Sequence, residues 1–284
     1  PDGRQNLSAP KLLSTATGSR SHVMHPVTAL AETKQPAPEE FLLRLGDNAL
    51  ILSHRLSEWT GHGPALEEDI ALTNTALDLL GQARMLYSHA GRSMQPVCDE
   101  DALAYWRNAE AFRNFTAIEL PNSGVHAARG ALGDYAFTMV RQSLFSAYML
   151  ELWPLVAQSA DEVLAGIAMK SIKETRYHWR HASDWTIRLG DGTEASNKRM
   201  QQALEQLFPY TNEWFTFDAI DERALGCSAH DLATQLRDRW FSQVVALCKQ
   251  SHLRMPASSQ LQTRGRFGVH GEHLSLRSEE HTSE

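Results

Sequence analysis

The sequence predicts an all-α protein, a long helical bundle with further helices packed outside it. Three observations carry that expectation. Apolar residues recur at helical spacing through most of the interval from residue 39 to residue 252. No segment shows sustained apolar and polar alternation, and no Asn-Gly or Asp-Gly pair separates two such runs, so hairpins are not expected. Four of the helical segments run to about 22 to 30 residues, a length that suits a bundle.

The first helix is expected over Glu39 to Thr60, with Leu42, Leu45, Ala49, Leu52, Leu56 and Trp59 on one stripe; Gly61, Gly63 and Pro64 stop it. The second runs from about Ala65 to Ala90, with Ile70, Leu72, Ala76, Leu77, Leu80, Ala83 and Leu86 as its apolar residues and Gly91 as its C-terminal cap. A third, shorter helix covers Asp99 to Leu120 until Pro121-Asn-Ser-Gly124 breaks it. The fourth, rich in aromatics and Met, runs from about Arg129 to Leu152 before Pro154, and Ser159-x-x-Glu162 resembles a capping box opening the fifth. The fifth continues to about Leu189, where Gly190-Asp-Gly192 ends it. Thr193 can cap a helix to about Phe208, and Ser228-x-x-Asp231 can open a last one ending near His252.

The two ends lack such patterns. Residues 1–36 are rich in Ser, Thr, Pro and Ala, so a disordered or non-native leader is expected, with Met24 as the start of translation. The stretch from Arg277 to Glu284 reads like a translated sequencing-adapter oligonucleotide, so residues 275–284 are set aside as an artefactual tail. One domain, residues 37–274, is expected between them.

Composition excludes several function classes. The 27 Lys and Arg against 34 Asp and Glu give a formal charge of -7 with no basic cluster, so there is no footprint for nucleic acid. No apolar run approaches the roughly 18 residues that span a bilayer. The three cysteines, Cys98, Cys227 and Cys248, are scattered without Cys-x-x-Cys spacing; a reducing, cytoplasmic setting is expected. Phosphate-loop, dinucleotide, nucleophile-elbow and His-Glu-x-x-His motifs are all absent from the sequence.

The chemistry to be weighed is metal binding, for which the sequence offers one stripe and lacks most of the remaining ligands, so no metal is expected. On the fifth helix Glu174, His178 and His181 share one stripe at i, i+4 and i+7. Bundles that hold two irons draw a Glu from each of two helices and a Glu-x-x-His pair from each of two others. Here the residue three beyond Glu174 is Tyr177, the first helix offers Asp47, and the second offers Asp78 with no His one turn on. The fourth helix has only Glu151 beyond Asp134, beside the Pro154 break. The residual metal candidates are therefore Glu174, His178, Asp47 and Asp78. A Glu174–His178 pair within the helix, and a hydrogen bond from Gln82 to Asp78, are the expected structural roles.

The blocks Arg44-Leu-Gly-Asp-Asn48, Leu56-Ser-Glu-Trp59, Gly61-His62, Leu77-Asp-Leu-Leu-Gly-Gln-Ala-Arg84, Ile172-Lys-Glu-Thr-Arg-Tyr-His178, Arg188-Leu-Gly190, Gly192-Thr193 and Met200-Gln-Gln-Ala203 occur in this order. Over about Phe41 to Leu274 the chain resembles the C-type family of bacterial phenylacetyl-CoA 1,2-epoxidase subunits. That resemblance implies a ferritin-like bundle pairing with a homologous catalytic A subunit, which holds the di-iron centre. The assembly is a multicomponent oxygenase with other epoxidase subunits and a reductase. Its substrate is an aryl acyl-CoA thioester, in aerobic phenylacetate breakdown. The C-type chain is structural there, so no catalytic residue and no cofactor are expected in this chain. The family continues past Leu274 into another helix, so the resemblance also implies a truncation.

A scaffold subunit needs a broad apolar face for its partner. The fourth helix, around Phe137, Met139, Phe145, Tyr148 and Met149, is expected to divide its apolar groups between the core and that face. Two rival functions remain open. One is a self-sufficient di-iron oxygenase or ferroxidase using Asp47, Asp78, Glu174 and His178. The other is an adaptor that binds CoA through the loop from Arg264 to His273.

Overall fold

The computed structural model describes residues 36–126, 131–257 and 260–274. The leader with Met24, the 275–284 tail and the expected fourth-helix start at Arg129 lie outside the described residues. Among these residues no strand occurs, only an isolated antiparallel bridge between Arg264 and Val269. The all-α expectation holds. Four long helices form the ferritin-like bundle: α1 (Glu39–Ser57), α2 (Leu66–Ser93), α5 (Tyr135–Val156) and α6 (Glu162–Gly190). The short helices α3 (Glu100–Tyr105) and α4 (Thr116–Glu119) lie between the two pairs; α7 (Glu194–Leu207), α8 (Ala219–Leu225) and α9 (Ala229–Gln250) follow.

Helices α1 and α2 run antiparallel, as the Ser53 hydroxyl donating to the Ala76 carbonyl at 2.8 Å and the Tyr87 hydroxyl donating to Asp47 both show. The expected α1 stripe, from Leu42 to Trp59, is wholly buried. Trp59 donates its indole N–H to Thr138 at 3.0 Å, joining the first helix pair to the second. Trp240 of α9 does the same to the Leu144 carbonyl at 2.9 Å, fixing α9 against α5.

Several sequence expectations are corrected. The second helix does not stop at Gly91 but continues to Ser93, and Gly91 serves a close approach instead. A Cβ there would lie 2.2 Å from the Cys98 carbonyl oxygen. The fifth helix opens on Asp161, whose carboxylate accepts from the Val163 and Leu164 N–H groups, while Ser159 accepts from Asp161 N. Pro154 lies inside the last turn of α5 without ending it. The expected Thr193 and Ser228 caps are present. Helix α8, not foreseen, is capped by Asp218 and ended by left-handed Gly226.

The largest correction concerns Asp99 to Leu120. That interval is two short helices with a 3-10 turn, Ala109–Ala111, between them. The cause is competition for its backbone. Asp47 accepts from Arg113 N at 2.6 Å, Asn48 from Phe115 N at 2.8 Å and Glu213 from Thr116 N at 3.0 Å. Buried carboxyl and amide oxygens thus take N–H groups that a continuous helix would have kept.

Two apolar assignments also change. Phe137, Met139, Phe145, Tyr148 and Met149 are all buried in this chain's own core, so α5 has no apolar face to spare. On α2, by contrast, Ile70, Leu77 and Leu80 are exposed rather than in the stripe with Leu72, Ala76 and Ala83. Gly91→Ala should destabilise the chain by about 1–3 kcal/mol, because a methyl group would meet backbone that cannot swing aside. Thermal unfolding followed by circular dichroism checks this; an unchanged melting temperature would contradict the close approach.

Candidate functional site

The sequence candidates divide between two of the polar places in the bundle. The first is a knot built from Arg44-Leu-Gly-Asp-Asn48. Asp47 is 0% exposed and accepts from the Tyr87 hydroxyl at 2.5 Å, from Arg107 through both Nη atoms and from Arg113 N. Gly46 admits Tyr87, since a Cβ there would lie 2.7 Å from its ring. Arg107 also stacks over Phe112, 4.2 Å from the ring centroid. Burial and then the Asp47 charge push the Tyr87 hydroxyl well above its ordinary value, so it donates. Arg44 binds Asp218 at 2.7 Å and Asp221 at 3.0 Å, and Arg266 meets the same Asp221 at 2.8 Å.

The second place is the seam between α2 and α6. Three pairs cross it: Asp78 with His178 at 3.0 Å, Glu68 with His181 at 2.8 Å, and Gln82 donating to Glu174 at 2.9 Å. Tyr135 donates to Glu68 at 2.6 Å, and Lys170 binds Glu174 at 2.6 Å. Two expected structural pairs are thereby corrected. Glu174 and His178 do not pair within α6 but reach across to α2, and Gln82 serves Glu174 rather than Asp78. The cause is geometric: α2 and α6 pack side by side, so His178 and Glu174 reach facing partners, while Glu174 keeps an i,i+4 pair with Lys170 instead of His178.

The candidate ligands are not gathered into one site. Asp47 belongs to the Arg107 knot, while Asp78, Glu174 and His178 are bound to their partners in the α2–α6 seam. Among the described residues no three His, Cys, Asp or Glu side chains form a group that could hold a metal ion. A di-iron centre also needs inward carboxylates from α5. The polar side chains that α5 buries are instead Thr138, Arg141, Gln142, Ser143 and Ser146. Arg141, pushed down to about 9 chiefly by burial, donates to the Leu120 carbonyl and to Asn122. Glu151, toward the end of α5, binds Gln243 and Arg239 of α9. A guanidinium and hydroxyls in the interior do not fit two iron ions.

The loop from Arg264 to His273 turns inward. Arg266 is buried against Asp221, and His270 lies 2.8 Å from Glu119 and 2.9 Å from the Phe112 carbonyl. Glu119 also accepts from Gly271 N at 2.7 Å, and Glu213 from Arg266 N at 2.8 Å. These groups hold Arg266 and His270 against the body of the fold, while Arg264 stays exposed. Sequence reasoning missed Arg107 and Glu119, which lie in the interval it reads as one helix, and Glu213, which lies between two expected helices. Glu68, which Tyr135 and His181 both bind, is also absent from the sequence candidates.

Removing Asp47 would leave Arg107 buried and unpaired. Asp47→Ala should cost about 3–5 kcal/mol, whereas Asp47→Asn combined with Arg107→Met should cost less than Asp47→Ala alone. Urea unfolding of the variants measures this, and equal losses would argue against the pair. A pH effect follows from His270. Burial pulls its pKa down, but the hydrogen bond and charge of Glu119 and the Phe112 carbonyl outweigh it, and the net shift is upward. Stability from the charged ring is therefore full below about pH 6.5, the unfolded value, and lost as pH rises through the higher folded value. The melting-temperature gap between the parent chain and His270→Gln should shrink from about pH 6 to about pH 9.

The family described as "Phenylacetic acid catabolic protein" matches residues 19–281. The chain is also 41% identical over 237 residues to the C subunit of the 1,2-phenylacetyl-CoA epoxidase of Escherichia coli (strain K12), covering 82% of this chain and 90% of that protein. The chain belongs to the phenylacetic acid catabolic protein family.

Proposed function

We propose that this chain is the non-catalytic C-type subunit of a multicomponent epoxidase that acts on the aromatic ring of phenylacetyl-CoA in aerobic phenylacetate breakdown. A homologous A subunit holds the di-iron centre and does the chemistry, with electrons from a reductase. This chain contributes packing and positioning as a single domain, residues 37–274, and works in the cytoplasm. The observation that supports this reading is the engagement of the acids on α1, α2 and α6. Asp47 binds a guanidinium, Asp78 and Glu68 bind imidazoles, and Glu174 binds an amide and an ammonium group.

The kinship to the Escherichia coli epoxidase chain supports the substrate class. The chain's fixed interior suits a scaffold, since each charge that would have to move to admit a metal already has a protein counterpart. Co-expression with an A-type homologue should give a stable heteromer with about two irons per A chain and none that follows this chain. Purified alone, this chain should bind no iron. Iron in stoichiometric amount on the isolated chain, with oxygen-dependent turnover, would overturn the proposal.

A further inference from the structure

Where the starts of α2, α5 and α7 meet the end of α6, a cavity of about 430 Å³ opens that the scaffold reading does not use. Such a volume suits a small molecule, and sites of this kind form between the helices of bundles from apolar and aromatic side chains with a few polar groups. Tyr135 and Trp185 line the cavity with Leu189 and Ala195, and the two rings meet edge to face with centroids 5.5 Å apart. Trp59 packs edge to face on Tyr135 from the core at 5.6 Å, so the phenol wall is fixed from behind. The charged groups in the lining are Glu68, Asp134 and Arg199.

Hydrogen bonding decides the charge of the occupant. The groups that would favour an anion are already engaged. Arg199 binds Asp134 at 3.2 Å, Asp134 also caps α5, Thr193 caps α7, and α2 opens on the acids Glu67, Glu68 and Asp69. Glu68 differs from these. Tyr135 and His181 both meet its Oε2, at 2.6 Å and 2.8 Å, and among the described residues its Oε1 has no hydrogen-bond partner. Burial and then the Glu68 hydrogen bond push the Tyr135 hydroxyl well above its ordinary value, so it stays a donor and leaves Glu68 the acceptor. A carboxylate oxygen with capacity to spare, beside a phenol and an indole, recognises an organic ammonium: the oxygen accepts an N–H and the rings attract the charge. Trp185 already holds one cation in this way, the Arg188 guanidinium 5.4 Å from its ring centroid. The apolar walls in turn ask for a hydrocarbon body behind the charge. We propose that this cavity binds a small primary ammonium ion with an aryl or alkyl body, its nitrogen on Glu68 and its body against Tyr135, Trp185 and Leu189. The site is independent of the scaffold role, since every residue that lines it belongs to this chain.

The test is isothermal titration calorimetry of the full chain with benzylammonium, and with benzoate and benzyl alcohol, which carry the same ring with the opposite charge and with none. Benzylammonium should bind at about one per chain with a Kd of about 1 mM or below, and the other two at least about 10-fold more weakly. Glu68→Gln should weaken benzylammonium about 10-fold and remove its lead over benzyl alcohol. Because Glu68 also joins α2 to α6, a second variant leaves every polar group in place. Ala195 is exposed and lines the cavity, so Ala195→Trp should fill the space and abolish binding. Circular dichroism of each variant confirms that the fold is kept. No saturable binding up to about 20 mM, benzoate binding as tightly as benzylammonium, or benzylammonium binding that survives either Glu68→Gln or Ala195→Trp undiminished would each overturn the proposal.

Discussion

A carboxylate with no exposed surface can remain inside a helix bundle only if hydrogen-bond donors and a cation come with it, and Asp47 imposes that condition on the whole first half of this fold. Its oxygens recruit the Tyr87 hydroxyl, the Arg107 guanidinium and the Arg113 N–H. The recruitment has a structural cost, because the chain from Arg107 to Thr116 cannot continue as a helix once its N–H groups are taken from the side. What results is a strap held on the bundle by Asp47, Asn48 and Glu213 rather than by apolar packing alone. Glu119 then repeats the device one layer out, binding Asn114, His270 and Gly271. Two buried acids and their neighbours thus connect α1, α2, the strap and the 264–274 loop.

The same chemistry organises the second half. The side chains of α2 and α6 that face one another across the seam include acids, imidazoles and an amide, arranged so that each has its partner on the other helix. Such a seam adds little net stability compared with an apolar one, since desolvation offsets most of the attraction. Its effect is on register. Sliding α6 by one turn relative to α2 would separate Asp78 from His178, Glu68 from His181 and Gln82 from Glu174 together, so the relative height of the two helices is narrowly set. In the scaffold role proposed above, a fixed height matters more than a few kcal/mol of extra stability.

The long helices are legible in the sequence because their apolar residues keep a 3.6-residue period, and α1 shows this most plainly, with its whole stripe buried. The caps at Thr193 and Ser228 are legible for the local reason that a side-chain oxygen three residues before a free N–H is a short-range signal. What stays hidden is long-range. Nothing near residue 113 in the chain announces that Asp47 will take its N–H, 66 residues away. The residues Glu174, His178 and Asp78 stand out in the sequence, but spacing alone assigns their partners within one helix. It shows only neighbours on the same helix and is blind to a facing one.

Helix α2 shows how far one stretch of sequence can mislead when it serves three surfaces. Leu72, Ala76, Leu79, Ala83 and Leu86 face the core; Glu68, Asp78 and Gln82 face α6; Leu66, Ile70, Leu77 and Leu80 face outward. Read as one amphipathic helix, its apolar residues merge into a single broad stripe. Separated by their angle around the axis, they form two stripes, and only one of them is covered by the described residues. An amphipathic helix needs one apolar face to fold onto its domain, and nothing among the described residues uses the second. The aromatic-rich α5, which composition favours for such a free face, spends its apolar side chains in the core. The surface available to a partner follows from which apolar residues the fold leaves over, not from which helix is richest in them.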